Sequence, residues 1–199
     1  MKILKVLIMA FGLITLAGCA GTLNLNHAIT DTNCQTRQEC IKDLGLDKYA
    51  EKPDVVFVVE ELEIKGNITA LLNIGISGKG YLIAIDLCIA KALQKEFPYS
   101  KVIIGNNNTH TPGGVEIVNL KNFKITNGVV YDAITTFSGE VKTSDGSVTI
   151  EAKGGHGVLT FTTSGSAGRA TLKACQDFAK QARKFLESQG IKLSINAGG

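Results

Sequence analysis

Tryptophan is absent from this chain, and aromatic residues of all kinds make up only 6% of it. A stacking platform for carbohydrate is therefore poorly supplied. Only three histidines occur, His27, His110 and His156. None has a paired spacing with the cysteines, so no zinc site is expected, and no other metal or cofactor either. No block of five or six like charges occurs, which argues against a nucleic-acid partner and against a polybasic membrane segment. No pair of carboxylates stands isolated in the way glycoside hydrolysis requires. No internal repeat is evident.

What is present begins at the first residues. Lys2 and Lys5 lie in a short basic start, and an apolar run over residues 6–16 follows, broken only by Gly12 and Thr15. Small residues then lead to a cysteine, Leu16-Ala17-Gly18-Cys19. Basic start, apolar stretch and small-residue junction together describe a secretory signal peptide. The apolar run is too short for a transmembrane helix, which needs about 20 residues.

The segment Leu16-Ala17-Gly18-Cys19 resembles the lipobox of bacterial lipoproteins. That resemblance implies acylation of the Cys19 thiol, cleavage before Cys19 by signal peptidase II, and attachment to a lipid bilayer. Two or more acyl chains anchor stably where one is marginal, since each buried methylene contributes about 0.8 kcal/mol. The alternative is an ordinary secretory signal with an incidental cysteine. Under the family's sorting rule, Ala20 in place of aspartate implies the outer membrane, facing the periplasm. The inner membrane and the cell surface remain alternatives.

Removing residues 1–18 leaves 181 residues, enough for one domain, and takes away Lys2 and Lys5, so the net charge falls from +3 to near +1. Of five cysteines, Cys34, Cys40, Cys88 and Cys175 remain after Cys19 is acylated. An even number in an oxidising compartment favours pairing. Three connectivities are possible. Bridges 34–40 and 88–175 are preferred, because the first pair is close in sequence and the second falls on core-facing sides of two expected helices. Two separate buried thiols are the alternative for Cys88 and Cys175.

Residues 19–52 read as a lipidated tether with a short helix near 35–46, and residues 53–199 as a single α+β domain. Val55-Val56-Phe57-Val58-Val59 fits a buried strand, continuing through Leu62 and Ile64, with Glu60, Glu61 and Glu63 on a wet face. A helix is expected over 81–97, with Asp86, Lys91, Gln94 and Lys95 on its polar half and Ile85, Cys88, Ile89, Ala92 and Leu93 opposite. Val102-Ile103-Ile104 reads as a short strand. Asn127-Gly128 and Asp145-Gly146 supply turn dipeptides that separate strands over 115–125, 129–141 and 147–153. Gly154-Gly155-His156-Gly157 is expected to reverse the chain into a fourth strand over 158–163. A helix over 170–189 ends at Gly190, and residues 191–195 could form a last strand. The expected class is α+β, a mainly antiparallel β-meander with two amphipathic helices packed on one face.

Candidate chemistry is sparse. Gly75-Ile76-Ser77-Gly78-Lys79-Gly80-Tyr81 is glycine-rich, but its lysine precedes the last glycine and Tyr81 stands where a phosphate loop needs lysine. A strand-to-helix turn is the default there. Ser164-Gly165-Ser166-Ala167-Gly168 lacks the spacing of a nucleophile elbow, so both serines read as residues at a helix start. Asn106, Asn107, Asn108 and His110 form a polar loop that could bind sugar or peptide backbone, or only order itself. These features favour a non-enzymatic envelope lipoprotein that binds another envelope protein or contributes to an assembly. Alternatives are a periplasmic enzyme acting on cell-wall material, with His110 or His156 as base, and a subunit of a secretion or surface-assembly machine.

Overall fold

The computed structural model describes residues 23–26, 29, 34, 36–46, 53–67, 69–70, 80–105, 113–127, 133–156, 163–191 and 193. Their elements are β1 (Leu23–Asn24), α1 (Arg37–Asp43), β2 (Val55–Glu60), β3 (Glu63–Asn67), β4 (Thr69–Ala70), β5 (Gly80–Ala84), α2 (Ile85–Glu96), β6 (Ser100–Gly105), β7 (Val115–Asn127), β8 (Ala133–Thr143), β9 (Gly146–His156) and α3 (Thr163–Ser188). The fold is α+β. A large sheet has the order β6-β2-β7-β8-β9, with β4 beside β7, and a small sheet has the order β1-β5-β3.

The large sheet divides into two halves. β2 pairs in parallel with both β6 and β7, which explains why its sequence is apolar without alternation. A strand flanked on both sides by parallel neighbours has two covered faces; Val55, Phe57, Val58 and Val59 are all buried. From β7 onward the chain is an antiparallel meander. β8 and β9 stay in unbroken register from Ala133↔His156 to Thr143↔Gly146. On β9, buried Ile150, Ala152 and Gly154 alternate with exposed Thr149, Glu151 and Lys153. β7 carries two register shifts. Each is served by an asparagine in the left-handed region, Asn119 (φ 55°) and Asn122 (φ 58°), a conformation asparagine tolerates better than most residues. The Asn119 amide N–H donates to Glu60 Oε2 at 2.8 Å and its side-chain Nδ2 donates to Glu140 Oε2 at 2.6 Å, joining β2, β7 and β8.

α2 and α3 lie side by side on one face of the large sheet. Phe57 packs against Phe97 with ring centroids 4.8 Å apart, and Phe137 against Phe178 at 5.6 Å. Arg183 on α3 caps this interface from outside, its guanidinium 4.8 Å from the Phe97 ring centroid and its Nε 2.6 Å from Glu96 Oε1. α3 also reaches over the edge of β9 away from β8. The Lys153 amide N–H donates to Asp177 Oδ2 at 3.1 Å, and Gln181 Nε2 donates to Glu151 O at 3.0 Å.

Several local expectations need correction. Tyr81–Ala84 is strand and not the first turn of the helix, because it pairs with β3 and joins β1 as well. Gly66 leaves room for the Tyr81 ring across that pairing: a Cβ there would lie 2.7 Å from Tyr81 Cζ. The β8–β9 turn centres on Ser144-Asp145, one residue earlier than the Asp145-Gly146 dipeptide, and neither residue has a positive φ. Thr143 Oγ1 organises it, accepting from the Asp145 amide at 3.2 Å and donating to Gly146 O at 3.1 Å. Gly154, Gly155 and His156 continue β9 and are no turn, and α3 begins at Thr163, seven residues earlier than the apolar periodicity suggested. The Asn127-Gly128 turn and the strand expected over 158–163 fall largely outside the described residues.

Gly154 has a packing role. A Cβ at this position would overlap the backbone at Ala170 O and Ala174 N and lie 2.9 Å from the carbonyl carbon of Lys173, whereas at Gly155 nothing lies within 4 Å. Gly154→Ala should therefore force α3 off the sheet and cost about 3 kcal/mol, at the upper end of ordinary overpacking. Gly155→Ala should leave the urea midpoint nearly unchanged. Equal midpoints for the two variants would refute this account of the helix–sheet contact.

Candidate functional site

The folded body begins close to Cys19. Leu23 and Asn24 pair in parallel with Tyr81 and Leu82. The Leu25 amide N–H donates to Leu82 O at 2.9 Å, and Asn26 Oδ1 accepts the amide N–H of Ala84 at 2.7 Å, just where α2 starts. Leu25 and Ile29 are fully buried, and Cys40 and Leu46 also lie in the core. Leu25 and Ile29, expected to lie in the tether, thus belong to the domain core. The physical reason is apolar side chains at wide spacing, which carry no helix or strand period but fill gaps in a core. Cys19 itself lies outside the described residues.

A disulfide joins Cys34 to Cys40, with an S–S distance of 2.04 Å, and spans the start of α1. Thr36 caps that helix: its Oγ1 accepts the Glu39 amide N–H at 3.2 Å while Glu39 Oε2 accepts the Thr36 amide at 3.1 Å. This reciprocal arrangement satisfies two of the helix's open donors. One residue after the cap comes Arg37, which reaches across to α2. Its Nη1 donates to Asp86 Oδ1 at 3.3 Å, its Nη2 pairs with Asp86 Oδ2, and its Nε lies 3.0 Å from Glu61 Oε1.

Asp86 is the exceptional residue of this cluster. The helical wheel put it on a polar, solvent-facing side of α2, yet it has no exposed surface. The Arg37 side chain from α1 meets it on that side, the Leu62 amide hydrogen-bonds to the carboxylate, and the Leu87 amide N–H adds a hydrogen bond to Oδ1 at 2.9 Å. Burial holds the Asp86 carboxyl above its usual value, while Arg37 and the amides of Leu87 and Leu62 pull it back. The location at the first turn of a helix also favours a negative charge. No spacing could reveal this pair, whose members are 49 residues apart.

The second cluster is interior. Cys88 and Cys175 are free thiols with no exposed surface, so the expected 88–175 bridge is replaced by two reduced cysteines facing each other across the α2–α3 contact. Cys88 Sγ donates to Thr171 O at 3.9 Å. Thr171 Oγ1 donates to Ala167 O at 2.8 Å and lies 3.0 Å from Thr135 Oγ1. Burial drives the Cys175 thiol well above its usual range, and the neighbouring Cys88 adds to the effect. A thiol in that state is protonated and a poor nucleophile.

The remaining sequence candidates do not converge. Asn106, Asn107, Asn108 and His110 lie outside the described residues, as does the glycine loop before Gly80. Ser166 is buried within α3. His156 is half-buried at the end of β9, opposite Ala133. Among the described residues no group of three or more His, Cys, Asp or Glu side chains could hold a metal ion.

No family model matches the chain, and no curated protein matches it. Solved structures do. An uncharacterised protein aligns over 69% of this chain and 95% of its own length, with a TM-score of 0.46 and 10% identity. A Xanthomonas campestris protein of the DUF330 family aligns over 72% and 91%, with a TM-score of 0.42 and 8% identity. A minor lipoprotein from Acinetobacter baumannii aligns over 69% and 97%, with a TM-score of 0.31 and 10% identity.

Two measurements check these clusters. Arg37→Met leaves a buried carboxylate unanswered and should cost about 3 kcal/mol at neutral pH. Asp86 binds its proton more tightly folded than unfolded, so its contribution is full below its unfolded value of 3.8 and is lost as pH rises through the folded value. The Arg37→Met penalty should accordingly shrink in acid; a penalty unchanged with pH would disprove the charge assignment. Alkylation under denaturing, non-reducing conditions should label Cys88 and Cys175 and spare Cys34 and Cys40, as read by peptide mass spectrometry. Protection of Cys88 and Cys175 would mean that they are bridged.

Proposed function

We propose that this protein is a bacterial envelope lipoprotein, acylated on Cys19 after loss of residues 1–18 and held at the outer membrane facing the periplasm. Its domain acts as a non-enzymatic binding or assembly module for another envelope component. The observation that carries the reading is Leu16-Ala17-Gly18-Cys19 at the end of a basic-then-apolar start. The Cys34–Cys40 disulfide supports it, because such bonds persist in oxidising compartments and are rare in the cytosol. The absence of catalysis is supported by where the candidate nucleophiles sit. Ser166, Cys88 and Cys175 are all buried in helix packing and closed to a substrate.

Growth with a labelled fatty acid tests the anchor. The wild-type chain should carry the label on a peptide that begins at residue 19 and should fractionate with the outer membrane. Cys19→Ser should lose the label and leave an uncleaved or soluble species. A wild-type chain with residues 1–18 still attached, or with an unmodified thiol at Cys19, would overturn the reading.

A further inference from the structure

The described cysteines stand in two oxidation states. Cys34 and Cys40 are joined, and Cys34 keeps some exposed surface. Cys88 and Cys175 are free thiols with no exposed surface, and they come from different helices. Two thiols that face each other are the reduced half of a disulfide couple, and here an oxidant has no path to either.

Cys88 stands beside the turn of α3 that runs from Thr171 to Cys175. Its Sγ donates to Thr171 O at 3.9 Å and lies within hydrogen-bonding reach of the Cys175 thiol. Thr171 is tied to β8 through Thr135, whose hydroxyl is 3.0 Å away, so the seating of α3 on the sheet fixes the level of Cys175. Further along the same contact, Arg183 fastens α3 to Glu96 and Phe97. Between the two cysteines the chain builds β6, β7, β8 and β9. A bond between them would therefore close a ring around most of the large sheet and pin α2 to α3 in their native arrangement.

Packing makes the pair inert. The attacking species in thiol–disulfide exchange is the thiolate, and it must reach the donor sulfur. Burial holds the Cys175 thiol in its protonated form and excludes the donor as well. Both obstacles vanish when the helices part.

We propose that Cys88 and Cys175 are a fold-gated redox pair, a dithiol while α2 and α3 stay packed and an interhelical disulfide once that contact opens beside a disulfide donor. In the opened chain one cysteine loses its proton and attacks a donor sulfur, and one donor thiolate leaves. The second cysteine thiolate then attacks the cysteine sulfur of the mixed disulfide. The Sγ–Sγ bond forms and the second donor thiolate leaves. Two cysteine thiols are oxidised, and one donor disulfide is reduced to two thiols that take up the two protons. Repacking buries the new bond, so a copy that has opened is stapled against opening again. The inference stands apart from acylation of Cys19.

The test uses the intact protein in detergent micelles with oxidised glutathione, in native buffer and in urea just below the unfolding midpoint. Samples are quenched by alkylation and mapped without reduction by mass spectrometry. The 88–175 bridge should form about tenfold faster in urea, in step with the opened population. After removal of urea, the bridged protein should show an unfolding constant about a hundredfold below that of the dithiol form. Cys88→Ala and Cys175→Ala should each yield only a glutathione adduct on the remaining thiol in urea. Equal rates of bridging in native buffer and urea would overturn the gating. Glutathione adducts without a bridge in the unsubstituted protein, or bonds from Cys88 or Cys175 to Cys34 or Cys40, would overturn the pairing. An unchanged urea midpoint in bridged protein would overturn the staple.

Discussion

A carboxylate without water around it must be answered by a positive charge or take up a proton, and this constraint organises the N-terminal third of the structure. Asp86 sits fully enclosed at the start of α2, and Arg37 arrives from a helix that would otherwise have little reason to stay. α1 is only seven residues long, too short to be stable alone. It is held by the Cys34–Cys40 bridge, the reciprocal cap at Thr36 and Glu39, and the ion pair to α2. Once α1 is held, Leu25, Ile29, Cys40 and Leu46 complete the core.

The two halves of the large sheet do different work. The parallel half, β6-β2-β7, needs a long connection between β2 and β6, and the chain uses it to build the small sheet and α2. That connection is also where α1 docks and where the N-terminus enters. The antiparallel half needs only short turns and gives α3 a flat surface, with Gly154 permitting contact at backbone distance. β1, α1 and the small sheet thus gather along one route through the fold, while the face of the meander away from α3 stays exposed and charged.

How much of this was legible in the sequence depended on the range of the interaction. Val148, Ile150 and Ala152 alternate with polar neighbours, and Leu172, Cys175, Phe178, Ala182 and Leu186 keep helical spacing, so the meander and α3 could be read locally. Tyr81, Leu82 and Ile83 suit strand and helix equally; their pairing with Lys65 and its neighbours decided the matter. Asp86 looked solvent-facing because its partner lies in another segment. Gly154 looked like a turn because a glycine that admits a helix backbone has the same letter as one that reverses a strand. The Cys19 motif was plain from its own four residues.

The hydrogen bonds between α3 and the outer edge of β9 at Asp177 and Gln181 bear on how copies of the chain meet. A border strand of eleven residues is, in general, a template on which a like copy can pair. By filling the positions at Lys153 and Glu151 from its own helix, the chain denies a neighbouring copy a continuous template there.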